Sequence, residues 1–427
     1  MSIWIEASGW WCYHNYIMKS LLVFPAQWYP TQPYLSTPYL CSYLREKNWD
    51  VTQRDFNMES YDHFLSPNSL EKIVSKMEDR QTILKSKKSF SFKEKSLMDV
   101  LATGIKFAPT IISEVNDAKQ VMRTPERFFD FKAYKQADMI IKSALKLVSD
   151  AFSPSILTLS TFESGVRAEE STQRTTEFAR SSDVNPFIDL YENVLLPSES
   201  WENYNLVGIS IVGISQILPG LTLARMLKEK YPHLHITLGG PIFSVNSKQL
   251  MGHPEFFQEF CDSIVTFEGE EPLHRLLTTL KNGSTLKNVP NLLFYENGKI
   301  EHNKERVELR FEEMPPPTFD GLPMNLYLSP YPILPVLQSR GCYWGKCTFC
   351  THSFIYGHRY GKQRTEQMVD ELENLARKYK TKYFTFSDEA VSPHSLNDVS
   401  EEIIKRDVDI KSLALLKFEK VMDQQLF

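Results

Sequence analysis

The sequence predicts an α/β protein in which a doubly wound, Rossmann-like domain with a helical insertion is followed by a partial β/α barrel. At 427 residues the chain exceeds the roughly 250–300 residues at which a single hydrophobic core stops growing, so at least two domains are expected. From Ser20 onward, short apolar runs alternate with amphipathic segments, which is typical of a parallel sheet with crossover helices. Three of the six cysteines lie within nine positions, between a predicted strand and a predicted helix.

The front domain is predicted to span residues 18–290. Its first half contains a strand in "SLLVFPAQW", a helix in "TPYLCSYLREKNW" and a strand in "DVTQRDF". The pattern resumes with the strand "NLVGISIVG", the helix "LPGLTLARMLKEKYP", the strand "HITLGGP", and "DSIVTFEGEEPLHRLL", a strand that leads into a helix. Residues 1–17 lack the features of a signal peptide, and they read as an extension before the first strand.

The alternating pattern of the front domain is interrupted by an insertion at about 60–200, which is predicted to be largely helical. Five apolar residues in "YKQADMIIKSALKLVSDAF" recur at helical spacing: Ala137, Ile140, Ile141, Ala144 and Leu145. The Ser/Thr-rich stretch 153–172 within this insertion reads as a loop over the main domain.

A linker is predicted over residues 291–334. It contains a hairpin in "NLLFYENGKI", with Asn297-Gly298 at the turn, and three consecutive prolines, which favour an extended and stiff connection.

The last region, 335–427, is predicted to contain three β/α units of a barrel. The strands are "PVLQSR", "KYFTFSDEA" and "KSLALLKFE", and the helices are "TEQMVDELENLARKY", "LNDVSEEIIKRD" and a short final "KVMDQQLF". Half a barrel would leave open, apolar strand edges. We therefore expect the reading frame to be truncated, or a separate chain to complete the barrel.

Composition excludes two classes of partner. The net charge of −5 offers no basic excess for nucleic-acid binding. No apolar stretch approaches the ~20 residues needed to cross a bilayer, so a soluble, cytoplasmic protein is expected. The scattered Cys12, Cys41 and Cys261 are predicted to be structural or incidental.

The clustered cysteines have the spacing C-x4-C-x2-C, at Cys342, Cys347 and Cys350. Three close thiolates suit an iron–sulfur cluster or a zinc site, and a Cys3His zinc site with His352 or His358 is the alternative. A ferredoxin-type cluster would need a fourth cysteine, which does not follow Cys350. Three thiolates on a cubane cluster would leave one iron open, which indicates substrate or cofactor chemistry.

The stretch "RGCYWGKCTFC" resembles the cluster motif of radical S-adenosylmethionine enzymes, although their usual first gap is one residue shorter. The resemblance implies a [4Fe-4S] cluster that cleaves S-adenosylmethionine, with an external one-electron donor such as a flavodoxin. It also implies that Phe349 packs against the adenine. The implied contacts to the methionyl amino group are Ser387, Asp388 and Glu389, with Lys417 and Glu419 as weaker candidates. Alternatively, the acidic residues of "SDEA" cap the following helix.

The front domain lacks G-x-G-x-x-G, so a dinucleotide is not indicated. Because they precede such a barrel, three stretches of the front domain resemble the cobalamin-binding domain of the B12-dependent branch of that superfamily. They are "LLVFPAQWYPTQPYLSTPYLCSYLREKNWDV", "LGGPIFS" and "FEGEEP". The implied cobalamin contacts are Gln27, Ser210, Gly239, Gly240 and Glu268. Because D-x-H-x-x-G is absent, no histidine is expected on cobalt. A degenerate domain that keeps the fold without the cofactor is the alternative.

The resemblance as a whole implies methyl transfer through cobalamin to an unactivated carbon of a peptide or small-molecule natural product. The alternatives are a radical rearrangement or cyclisation without methylation, and a non-catalytic metal-binding module.

Overall fold

The computed structural model describes residues 18–307, 309–355 and 359–419. The predicted extension 1–17 and the predicted final helix "KVMDQQLF" lie outside these ranges. Within them, no helix combines the length and the apolar character that crossing a membrane requires.

The described residues form fourteen strands. In chain order they are β1 (Lys19–Phe24), β2 (Asp50–Asp55), β3 (Ile156–Leu157), β4 (Phe162–Glu163), β5 (Leu206–Ser210), β6 (His235–Gly239), β7 (Ser263–Val265), β8 (Leu292–Glu296), β9 (Lys299–His302), β10 (Ile333–Val336), β11 (Ser339–Arg340), β12 (Gly361–Lys362), β13 (Tyr383–Val391) and β14 (Lys411–Leu416).

The same residues form sixteen α-helices. They are α1 (Ser36–Glu46), α2 (Phe56–Phe64), α3 (Pro67–Lys85), α4 (Phe92–Arg123), α5 (Pro125–Phe128), α6 (Phe131–Ala151), α7 (Thr172–Ala179), α8 (Phe187–Leu190), α9 (Ile217–Lys230), α10 (Pro241–Val245), α11 (Ser247–Leu250), α12 (Pro254–Phe260), α13 (Glu270–Lys281), α14 (His352–Ile355), α15 (Thr365–Tyr379) and α16 (Pro393–Lys405).

The front sheet has seven strands in the order β2-β1-β5-β6-β7-β8-β9. The first five in this order are parallel, and β1 is apolar and almost entirely buried, as expected of a strand covered on both faces. The chain leaves β1 towards β2 on one side and returns through β5 on the other. The predicted doubly wound fold is therefore confirmed, and its crevice lies at the carboxyl ends of β1 and β5.

The hairpin that the sequence placed in the linker instead extends this sheet. β8 pairs antiparallel with β7, and β9 pairs with β8. Asn297 and Gly298 have φ values of 52° and 81°, as a type I′ turn requires. By pairing with β7, the hairpin covers an edge that the parallel strands alone would leave open.

The insertion is built mainly of the long helices α3, α4 and α6. The five apolar residues predicted to share one face of α6 are all buried, so the helical prediction is confirmed. They pack in the same core as Leu101, Ala108 and Ile111 of α4. The stretch 153–172, predicted as a loop, contains the short β3–β4 ladder.

The second sheet contains β10, β13 and β14, all parallel, in that order. Helices α15 and α16 follow its first two strands, as the β/α pattern predicted. Gln53 of the front domain donates hydrogen bonds to the carbonyl oxygens of Thr318 and Asp320, at 2.7 and 3.1 Å, and so fastens the linker. A single buried cluster contains residues of both sheets, including Val265 and Phe384.

Candidate functional site

A cleft of about 560 Å³ lies between the two sheets. On one side it is lined by the carboxyl ends of β5, β6 and β7 and by the loops that follow them. On the other side it is lined by β10, β13 and β14. Six of the residues predicted to bind cofactors line this cleft: Ser210, Gly239, Gly240, Glu268, Ser387 and Glu389.

Gly240 shapes the front wall of the cleft. Its φ of 122° lies in a region that L side chains rarely adopt, and a Cβ there would be 2.0 Å from the carbonyl oxygen of Ile211. At Gly239, a Cβ would meet its nearest atom, the carbonyl oxygen of Val265, at 3.8 Å. The backbone at Gly240 therefore requires glycine, whereas Gly239 has room for a methyl group.

Gln27 is not among the residues that line the cleft. Its side chain is buried and donates hydrogen bonds to the Thr158 carbonyl oxygen and to the Tyr61 hydroxyl. Thr158 belongs to the insertion, so Gln27 holds the insertion against the end of β1.

Asp388 is also buried, and it fixes the backbone just before the cysteine loop. Its carboxylate accepts hydrogen bonds from the amides of Gln338 and Ser339, at 3.0 and 2.6 Å, and from the Ser339 hydroxyl. Burial raises the pKa of the Asp388 carboxyl. The alternative that the acidic residues cap the next helix is wrong, because Ser392 caps α16 by accepting from the Ser395 amide.

Ser387 and Glu389 of β13 line the cleft, whereas Asp388 between them does not. Glu389 Oε1 lies 2.7 Å from Nδ1 of His352, and this close carboxylate raises the pKa of the His352 imidazole. The residue His352, one candidate for a fourth zinc ligand, is thus engaged with Glu389. The other candidate, His358, lies outside the described residues.

The cysteine loop follows β11 and begins at Gly341, whose φ is 80°. Cys342 and Cys350 are partly exposed, Cys347 is exposed, and none of them is in a disulfide. Phe349 is 88 % exposed and does not line the cleft. In the described part of the chain, no three Cys, His, Asp or Glu side chains converge as metal ligands. The donor set itself, three free thiols in nine residues, fits an iron–sulfur cluster in its chemistry.

Lys417 and Glu419 contact the cysteine loop and do not line the cleft. The Tyr343 hydroxyl donates to Glu419 Oε1 at 2.9 Å, and Lys417 Nζ lies 3.0 Å from the same oxygen. The Lys417 ammonium is also 3.7 Å from the centroid of the Trp344 ring. The end of β14 therefore packs against the first half of the cysteine loop.

Sequence reasoning missed the contact between the cysteine loop and the front domain. Arg340, directly before Gly341, has its guanidinium 2.5 Å from Glu270 Oε1, and Glu270 is the first residue of α13. The two residues lie in motifs that the sequence singled out, "RGC" and "FEGEEP", but 70 positions separate them, and nothing in the sequence pairs them.

No family model matches the chain. An uncharacterized methyltransferase of Pyrococcus horikoshii is 29 % identical over 213 residues, covering 48 % of this chain and 44 % of that protein. The hopanoid C-3 methylase of Methylococcus capsulatus is 25 % identical over 201 residues, covering 44 % of this chain and 35 % of that protein. The chain therefore spans less than half the length of these curated relatives.

A solved structure has a similar fold. It is the cobalamin-dependent S-adenosylmethionine radical enzyme OxsB with aqua-cobalamin bound, with a TM-score of 0.51 and 16 % identity. The match covers 94 % of this chain and 39 % of that one. The two curated relatives are thus named as a methyltransferase and a methylase, and the similar fold of a cobalamin-dependent S-adenosylmethionine radical enzyme confirms the predicted fold class.

Proposed function

We propose that this chain carries the cofactor-binding part of a cobalamin-dependent radical S-adenosylmethionine methyltransferase. One observation carries the proposal. The cleft is bounded on one side by the carboxyl ends of a doubly wound sheet, where such sheets bind ligands, and on the other by the sheet whose first strand leads into the cysteine loop. A cofactor on the front wall would thus face the loop that carries the three cysteines.

In this proposal, Cys342, Cys347 and Cys350 hold a [4Fe-4S] cluster, and the front wall around Ser210 and Gly240 holds cobalamin. When bound, the cluster supplies an electron for cleavage of S-adenosylmethionine, and cobalamin supplies a methyl carrier. The cluster is assigned from the resemblance, and cobalamin is assigned from the resemblance and from the solved structure of similar fold.

The protein's own residues position these groups. Asp388 fixes the backbone of residues 338 and 339, from which the chain enters the cysteine loop. Ser387 and Glu389 present a hydroxyl and a carboxylate to the cleft, where they can accept hydrogen bonds from the amino group of S-adenosylmethionine. Apolar residues of β10 and β14 line the remaining wall, among them Pro335 and Ala414.

The substrate we propose is a peptide or small-molecule natural product, methylated in the cytoplasm at a carbon without an activating group. A flavodoxin-like protein is the proposed electron donor. A radical cyclisation would differ in its products, because it would consume S-adenosylmethionine without transferring a methyl group.

Anaerobic reconstitution of the full chain with iron and sulfide tests the proposal. The expected result is the absorbance and Mössbauer signature of a [4Fe-4S] cluster, which zinc would not give. Cys347→Ala should lose most of the bound iron, because two thiolates remain. Cys261→Ala is the matched control, because Cys261 is a free but buried cysteine of the front domain. Equal iron in the two variants would contradict the proposal.

Cobalamin binding is tested on the same preparation. Bound cob(II)alamin should give an electron paramagnetic resonance spectrum without coupling to an axial nitrogen, because the sequence lacks the D-x-H-x-x-G signature. A spectrum with axial nitrogen coupling would contradict this part of the proposal, and failure to bind would support a degenerate front domain.

We also propose that a separate chain pairs with β14. Among the described residues β14 pairs only with β13, and its Leu413 and Leu415 are 67 % and 65 % exposed. An exposed edge strand with apolar side chains is a template for another strand. Leu413→Lys should abolish such pairing, which is measurable as loss of the partner in size-exclusion chromatography of the co-expressed chains. Retention of the partner would contradict this assignment.

A further inference from the structure

The contact between Arg340 and the front domain joins the two walls of the cleft. Arg340 lies in β11, which pairs with β12 so that Arg340 is opposite Gly361. The next residue, Gly341, packs so closely against Arg359 that a Cβ would be 2.0 Å from the Arg359 carbonyl oxygen. The backbone on both sides of Arg340 is therefore held, and the position of Arg340 determines where the loop towards Cys342 begins.

The guanidinium of Arg340 lies among groups of the front domain and the linker. Besides Glu270, it faces Glu268 Oε1 at 3.9 Å, and it lies over the rings of Tyr39 and Phe311, with 5.5 and 5.1 Å to their centroids. The Arg340 side chain is 13 % exposed and that of Glu270 is 4 % exposed. Water therefore has little access to this ion pair, and stacking on two rings restricts the plane of the guanidinium.

A buried ion pair of this kind fixes the relative position of its two partners more than it adds to the net stability of the fold. Desolvation of the two charges offsets much of their attraction, whereas removal of one partner leaves an uncompensated buried charge. Glu268 belongs to the front wall of the cleft, and burial raises the pKa of its carboxyl. The glutamate expected to contact cobalamin thus also faces the arginine that precedes the cysteine loop.

The three residues before Gly341 are held from two directions. Asp388 of the second sheet binds the backbone of Gln338 and Ser339, and Glu270 of the front domain binds the side chain of Arg340. Loss of the first tether would free the loop from its own sheet. Loss of the second would leave the start of the loop attached to its sheet but without this ion pair to the front wall.

We propose that Arg340 and Glu270 are positioning residues that fix the cysteine loop against the front wall of the cleft. Their purpose rests on the proposed function, in which a group held by the cysteines must face a ligand on that wall. The contact itself belongs to the protein without cofactors, so it can be tested there.

The test measures amide hydrogen exchange of residues 339–350 in the metal-free full chain. In Arg340→Gln, exchange of this segment should be faster by about tenfold, because the loop opens locally, while the front sheet exchanges as in wild type. Arg275→Gln is the matched control. It removes an arginine–glutamate pair with Glu271, next to Glu270 in α13, that does not involve the cysteine loop.

Two further variants separate positioning from folding. Glu270→Gln removes the same pair from the front-domain side and should accelerate exchange in the same segment, even if Arg340→Gln does not fold. The charge-swapped double variant Arg340→Glu with Glu270→Arg should restore slow exchange at least in part, which a general structural defect would not do.

The outcomes distinguish this inference from the proposed function. Unchanged exchange of residues 339–350 in folded Arg340→Gln and Glu270→Gln would overturn the positioning role, whether or not the wild type binds a cluster. Faster local exchange in both variants would support it, and failure of the wild type to take up iron would then count against the proposed function alone.

Discussion

The two walls of the cleft are made of the same kind of parallel sheet, but they differ in how completely their strands are covered. In β1 of the front sheet, Leu21 and Val23 are fully buried between layers of helices. In β14 of the second sheet, Leu413 and Leu415 are mostly exposed. One face of the front sheet, with Leu21 and Val23, therefore packs in a closed core with the insertion helices, whereas in the described residues the second sheet presents an apolar face and an open edge at β14. Stability is expected to come from the first, and capacity for further association from the second.

Substitution of a leucine in each sheet tests most directly whether the two sheets differ in how completely they are covered. Leu21→Ala should lower the free energy of unfolding by roughly 2–5 kcal/mol, because it leaves a cavity in a closed core. Leu413→Ala should change it by less than about 0.5 kcal/mol, because the side chain is already in water. Urea unfolding followed by circular dichroism measures both, and similar losses would show that β14 is covered in solution.

The buried residues of the second region belong to its sheet and the helices that follow the strands, and one of them is acidic. Glu371 of α15 is buried and accepts a hydrogen bond from the side-chain amide of Gln363 at 3.1 Å. Burial raises the pKa of the Glu371 carboxyl from 4.5 to about 8. The folded protein thus binds this proton more tightly than the unfolded chain does. The stability that protonated Glu371 provides is complete below pH 4.5 and is lost as the pH rises towards 8.

Glu371→Gln should remove this pH dependence, because the neutral amide has nearly the same shape. Between pH 4.5 and 8, the variant should gain stability relative to wild type by at most about 1.4 kcal/mol per pH unit, with no further gain above pH 8. Unfolding midpoints across this range measure the effect. Glu366→Gln, on the exposed part of the same helix, is the control for loss of a carboxylate. Parallel profiles for wild type and Glu371→Gln would contradict the prediction.

The sequence predicted the parts of the site that depend on local pattern. Strand ends of a parallel sheet converge at one edge, so the strand pattern alone is enough to assign Ser210, Gly239 and Glu268 to a common cleft. The alternation of side chains along a strand is a signal of the same kind that the prediction did not use. It assigned Asp388 to S-adenosylmethionine together with Ser387 and Glu389, whereas Asp388 is buried and does not line the cleft.

Contacts between segments distant in sequence could not be predicted. Gln27 donates a hydrogen bond to the carbonyl oxygen of Thr158, 131 positions later in the chain. No pattern in the sequence of the insertion predicts this contact. The pairing of Arg340 with Glu270 likewise depends on how the second sheet docks on the first. Hydrophobic periodicity identifies the elements, but it does not determine which polar groups meet between them.

The smallest predicted effect concerns the front wall of the cleft. It tests whether the backbone at this edge of the front sheet is as rigid as the buried strands in its interior. Gly240→Ala should cost about 1–3 kcal/mol of stability, because alanine is strained at a φ of 122° and its Cβ would collide with the Ile211 carbonyl oxygen. Gly239→Ala, at the adjacent position, should cost less than about 0.5 kcal/mol. If the front wall binds cobalamin, Gly240→Ala should also weaken binding of hydroxocobalamin more than Gly239→Ala does, because it displaces backbone that lines the cleft. Equal affinities and stabilities for the two variants would show that this edge adapts, and that the front sheet is rigid only in its interior.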